Sequence, residues 1–295
     1  MKKYICLRDD DTNYYTSVED INNAYGDILG SIPITLATIP MVHGSEQTIL
    51  LFNREREKFR RLRNWEIEAS PDVLTEYHKI HPIGDNDELI SFLKPLIAEG
   101  KIEIAQHGVY HRYTERGPEM FRGRISFEAI RDGKEYLEHI FNCEVRTFVP
   151  PSNSIDPWCV ECLSKLNMHL FSSGSIKYNN IGHMMVSYFK DPLSVIDKIK
   201  HGRFFKSPIY RRCGIDMFGG LTVNSNEDEK EIIKRIEYEL NANGFVAIGT
   251  HYRAFANNEY KVKYYNILSN YLKDATVEFV TADNYYKIAR KVMKG

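Results

Sequence analysis

Short runs rich in β-branched and aromatic residues alternate with longer segments of helical period along almost all of this 295-residue chain. No other feature constrains the fold as much. Strands separated by helices pair in parallel, with the helices packed outside, as a barrel or an open sheet. The first run is "KYICLRD", and "PITLATIPM", from Pro33 to Met41, is the second. "NDELISFLKPLIAEG" reads as a helix, since Leu89, Ile90, Leu93, Leu96 and Ile97 share one face. Asn86 can cap it, Gly100 closes it, and Pro95 is expected to disturb its last turn. "KIEIAQH" follows as a strand. Then come a helix with Ser126 as cap, the strand "VRTFVPP", the helix "DPWCVECLSKLN" and the strand "MHLFSSG". A helix ended by Gly244, the strand "FVAIGTHY", a last strand "VEFV" and a last helix complete the order. One stretch breaks the rhythm. Residues 45–70, with "NREREKFRRLRNWE", read as a charged helical insertion. No repeat or linker composition divides the chain, so residues 1–295 are expected to form one domain.

Basic and acidic residues nearly balance, 39 against 40, which excludes an electrostatic nucleic-acid binder. No apolar segment is long enough for a membrane span or a signal sequence, so the expected location is the cytoplasm. No pattern specifies an oligomeric state. Five scattered cysteines do not make a disulfide framework, and "CVEC" at Cys159–Cys162 lacks the second pair a zinc knuckle needs. The 19 tyrosines could line a sugar cleft, although the edge of the core is their ordinary place.

Residues suited to binding a metal cluster at the strand ends. Asp9, Asp10 and Asp11 end the first strand, His107 and His111 the "KIEIA" strand, Pro150 and Pro151 the "VRTFV" strand, and His251 the "FVAIGT" strand. Parallel strands place these ends on one face, where active sites form. In "HGVYH" a helical turn would bring the two imidazoles onto one side. Two histidines and a carboxylate are a common open site for zinc or iron, and a cation would offset the repulsion within "DDD". The aspartates could instead form a solvated turn, with Asp11 or Thr12 capping the "SVED" helix. His251, on the same face, is a candidate general acid.

"LRDDDT", "QHGVYHR", "RTFVPPSN" and "IGTHY", in this order, resemble the motifs of the polysaccharide deacetylase family, whose members deacylate chitin, peptidoglycan and related amino sugars. The likeness spans Leu7 to about Tyr252. It implies an α/β fold, a distorted and incomplete (β/α) barrel. It further implies a divalent metal, with zinc as the expected ion, and a carbohydrate or amino-sugar substrate that loses an acyl group, typically N-acetyl. On that alignment Asp10 is the catalytic base, and Asp11, His107 and His111 hold the metal. His251 protonates the leaving amine. The Ser152 N–H is the oxyanion donor, with Pro151, Asn153 and Tyr252 on the substrate side. A one-residue slip, with Asp9 as base and Asp10 as ligand, stays open. Val149 stands where the family often has an arginine that orients the base, and Ser152 and Asn153 replace its tyrosine and glycine. Arg8 could compensate, since it shares a strand face with Asp10. Glu119 and Arg122 could shape the cleft, though a solvated loop is their ordinary place. Two other functions compete: a glycan-binding barrel without turnover, and a metal-dependent hydrolase of another small amide.

Overall fold

The structure, a computed structural model, describes residues 2–44, 69–114, 117–121, 125–172, 176–177 and 208–293. Most of the charged stretch expected as an insertion, and Arg122, lie outside the described residues.

The strands are β1 (Lys3–Thr12), β2 (Ile34–Thr38), β3 (Met41–His43), β4 (Ile80–Pro82), β5 (Ile102–His107), β6 (Tyr113–Thr114) and β7 (Gly117–Pro118). They continue with β8 (Thr147–Val149), β9 (His169–Phe171), β10 (Tyr210–Arg212), β11 (Ile215–Phe218), β12 (Leu221–Thr222), β13 (Phe245–His251) and β14 (Val277–Val280). The helices are α1 (Val18–Tyr25), α2 (Pro71–Tyr77), α3 (Asp87–Ala98), α4 (Phe127–Phe141), α5 (Pro157–Lys165), α6 (Glu229–Asn243), α7 (Asn258–Leu272) and α8 (Ala282–Val292). Pro95 lies inside α3 without ending it.

The main sheet runs β10-β11-β9-β8-β5-β2-β1-β13-β12. Its ladders are parallel except for β10 with β11. Among the described residues no ladder joins β10 to β12, so the barrel is incomplete. The distortion centres on β1. It pairs with β13 along one edge, while its other edge is shared by β14, from Lys3 to Cys6, and β2, from Leu7 onward.

Period-2 alternation sorts the side chains. Ile5, Leu7, Ile34, Leu36, Ile102, Ile104, Val246 and Ile248 face the helices in the larger core. Cys6, Ala37, Ala105, Val149, Phe171 and Ala247 face inward, over Ala282, Tyr285 and Ala289 of α8. By the same alternation Arg8 and Asp10 point inward at the end of β1, whereas Asp9 points into the helix layer. Ser17, not Asp11 or Thr12, caps α1, in a reciprocal capping box with Asp20. The aspartates are thereby left to the strand.

Candidate active site

A bulge puts two consecutive carboxylates into the same mouth. Asp9 pairs with Leu36 and Thr12 with Thr38, so β1 uses one residue more than β2 over this interval. Asp11 adopts φ +76, in the left-handed region. A regular strand would send Asp10 and Asp11 to opposite faces, and the extra residue removes that conflict.

Asp11 Oδ1 lies 3.2 Å from His107 Nε2 and 3.2 Å from His111 Nε2. Each residue of this trio offers one ligand atom within 4.8 Å of the others. Both imidazoles are buried. His107 Nδ1 is 2.9 Å from the Val149 carbonyl, so it is Nδ1 that carries the proton and Nε2 that turns a lone pair to the cluster. Burial alone would raise the Asp11 carboxyl, but His111, His107 and His251 hold it well below the ordinary carboxylate range. Burial opposes a charge on His107, yet Asp11 and Asp10 raise it overall.

The two histidines do not meet through a helical turn, as their spacing suggests. Gly108 has φ +65 and His111 φ +53, and the segment between them is a tight non-helical turn. A Cβ on Gly108 would lie 2.5 Å from Pro151 Cγ, so the turn packs directly on the double-proline segment. Glu119, expected in a solvated loop, is buried.

Beside the trio, Asp10 accepts from Arg8 Nη2 at 2.7 Å, and both side chains are nearly inaccessible. The Arg8 guanidinium stacks on the Phe171 ring at 4.5 Å. A Cβ at Gly249 would sit 3.1 Å from Nη2, so the glycine leaves room for it. Glycine inside a strand signals such a close approach, and "AIGTH" carried that signal unread. Val149, at the place of the family's arginine, buries its side chain in the inner core while its carbonyl orients His107.

Asp9 does not reach the cluster. Its carboxylate accepts from the Tyr25 hydroxyl inside the helix layer, and burial raises its pKa well above the ordinary value. His251 pairs with Asp10 across β1 and β13. Its side chain is 46% exposed, with Nε2 3.8 Å from Asp11 Oδ2. Pro151 is buried, while Ser152 and Asn153 follow in left-handed conformations, φ 53 and φ 49. Ser152 carries the first peptide N–H after two prolines that have none. Tyr252 is buried, and its hydroxyl accepts from Thr16 Oγ1 at 3.0 Å and Arg253 Nε at 2.9 Å. That engagement makes the Tyr252 side chain a brace between β13 and the segment after β1.

Cys159 and Cys162, which the sequence leaves without a second pair, lie on α5 as buried free thiols. Burial pushes the Cys159 thiol up, which keeps it unreactive. Among the described residues no helix is long and apolar enough to cross a membrane.

Fold and site together define a class: an incomplete (β/α) barrel with a carboxylate and two imidazoles converging at the strand-end mouth. No family model matches the sequence, and no curated protein matches it. Similar solved structures include a family 4 acetyl xylan esterase from Clostridium thermocellum in complex with a cobalt ion. It is 12% identical, with 97% of this chain and 91% of that chain covered and a TM-score of 0.48. The Xyl-CE4 domain of a multidomain xylanase from the hindgut metagenome of Trinervitermes trinervoides is also 12% identical. There 98% of this chain and 91% of that chain are covered, at a TM-score of 0.46. A 4-alpha-glucanotransferase from Thermococcus litoralis is 13% identical at a TM-score of 0.49, and this chain covers 40% of its length. Likeness at these scores carries no functional weight.

Proposed function

We infer that the protein is a metal-dependent deacylase that removes an acyl group, typically acetyl, from the nitrogen of an amino sugar or polysaccharide. The observation that carries this reading is the Asp11 carboxylate flanked by two imidazole nitrogens at 3.2 Å, with the Arg8–Asp10 pair alongside. The trio fits a divalent ion, zinc above all. Two ligands about 2.05 Å from a tetrahedral zinc stand roughly 3.3 Å apart. The His107 tautomer already points its lone pair inward.

A divalent metal held by Asp11, His107 and His111 would supply Lewis acidity, acidifying water and polarising an acyl oxygen. The remaining steps belong to the chain. Asp10, acceptor-only when ionised, takes the proton of the attacking water, and Arg8 fixes the orientation of its carboxylate. The Ser152 N–H meets the negative charge that develops on the acyl oxygen, and one such donor is worth about 3 kcal/mol. His251, partly exposed beside Asp11, gives a proton to the departing amine as its bond to the acyl carbon breaks. The products are the free amine and a carboxylate.

The buried Val149 favours a second reading, a barrel that keeps the cluster and binds a glycan without turnover. Against it stands Arg8, which supplies from β1 the cation that Val149 lacks. Incubation of the zinc-loaded protein with N-acetylated amino sugars and their oligomers, with acetate measured, tests the proposal. Acetate release that depends on zinc supports it. Glycan binding with no acetate from any of them overturns it in favour of the second reading.

A further inference from the structure

We propose that Glu119 is a positioning residue that fixes the separation of His107 and His111 by clamping the turn between them. This rests on the reading of Asp11, His107 and His111 as a metal site. The Glu119 carboxylate accepts from Val109 N at 2.7 Å through Oε1 and from Tyr110 N at 2.9 Å through Oε2. Its own N–H donates to the Arg112 carbonyl at 3.1 Å. The residue therefore grips the chain on both sides of His111.

The turn needs such a grip. It leaves β5 at His107 and runs through positive φ at Gly108 and again at His111, so no regular structure holds it. A left-handed backbone at a histidine is uncommon and persists where its surroundings impose it. The carbonyls of the same turn are taken from the other side: Met41 N donates to Val109 O at 3.1 Å and His43 N to Tyr110 O at 3.3 Å. Glu119 is 4% exposed. A Cβ on Gly108 would stand 2.0 Å from Glu119 Oε1, so glycine there is a condition of the clamp. Both carboxylate oxygens are committed to amides, and Glu119 is outside the trio suited to an ion. Its part is geometry, not ligation.

Residues that hold metal ligands in place typically contribute 10- to 100-fold to metal affinity. Glu119→Gln keeps the shape but turns an NH2 group toward one of the two amides. Chelator competition should show cobalt(II) affinity falling about 10- to 100-fold. The cobalt(II) visible absorption should shift as the ligand geometry relaxes, with the far-ultraviolet circular dichroism unchanged. Gly108→Ala, which displaces the carboxylate from the other side, should do the same and serves as the test if Glu119→Gln does not fold. Hydrogen exchange on the metal-free protein gives the separate readout, in which Val109 and Tyr110 should lose protection in each variant. Wild-type protein that binds no cobalt(II) would sink the metal reading, and the exchange data would still decide the clamp. A folded Glu119→Gln with wild-type cobalt(II) affinity and spectrum, or with Val109 and Tyr110 as protected as before, overturns the proposal.

Discussion

At the scale of single residues, the opposed surroundings of Asp10 and Asp11 give neighbouring carboxylates different work. Asp10 is paired with a guanidinium, and Asp11 with imidazoles. Asp10→Asn should therefore keep its metal content while deacylation falls by about 10² to 10⁴. Asp11→Asn should lose metal, because an amide oxygen is a weaker ligand than a carboxylate. Metal analysis and acetate release on both variants check this, and metal loss in Asp10→Asn would reverse the roles. Arg8 offers a second test. Breaking a buried pair by removing one partner costs about 3–5 kcal/mol, mostly because the other charge is stranded. Arg8→Met should be destabilised on that scale in urea unfolding, and Arg8→Met with Asp10→Asn should be destabilised by less than the two single changes summed. Simple additivity would mean that Arg8 does not serve Asp10.

At the scale of elements, β5 works at both ends. His107 closes it at the mouth, while Glu103 near its start caps α8. Thr281, the N-cap residue of α8, makes no side-chain cap bond, and Glu103 accepts the Asp283 N–H at 2.9 Å in its place. Burial, with the Asp283 charge, outweighs these hydrogen bonds and raises Glu103 from 4.5 to about 7. The folded protein thus holds this proton more tightly than the unfolded chain. The resulting stabilisation is complete below pH 4.5 and is lost as the pH rises towards about 7. Glu103→Gln should flatten this part of the profile, so the urea midpoint should fall less between pH 5 and pH 8 in the variant than in wild type. An equal fall in both would remove Glu103 from the linkage. The order of strands and helices was legible in the sequence because alternation and helical period are local. Helix ends were legible for the same reason: Asn86, Ser126 and Gly244 act as the caps their chemistry suggests. The bulge in β1 was not legible, since it exists only against β2. Nor was the turn at Gly108–His111, because a spacing of four fits a helix equally well, and the carboxylate that decides the matter lies eight residues further on.

For the whole molecule, ten of the fourteen described strands share one main sheet, β3–β4 and β6–β7 form two small sheets beside it, and the two larger cores pack on the main sheet. A single cooperative thermal transition is expected. Saturation with zinc should move it upward, since a ligand at 100 times its dissociation constant adds about 2.7 kcal/mol. Asp11→Asn should lose most of that shift. Two separated transitions, or an equal zinc shift in Asp11→Asn, would contradict the one-domain expectation or the ligand assignment respectively. The placement of β1 has a further consequence, for the order in which the molecule can form. The strand that carries Arg8, Asp10 and Asp11 finds β2 close by in sequence, yet β13 and β14 complete its ladder only when the far part of the chain joins it. Thr16 and Tyr252, which brace that junction, lie 236 positions apart. Contacts of such separation are slow to close. Until they close, the three adjacent aspartates sit on a strand that β2 pairs along one edge only. The candidate ligands Asp11, His107 and His111 can converge across β1, β2 and β5 before β13 docks, whereas His251 joins them only when β13 pairs with β1.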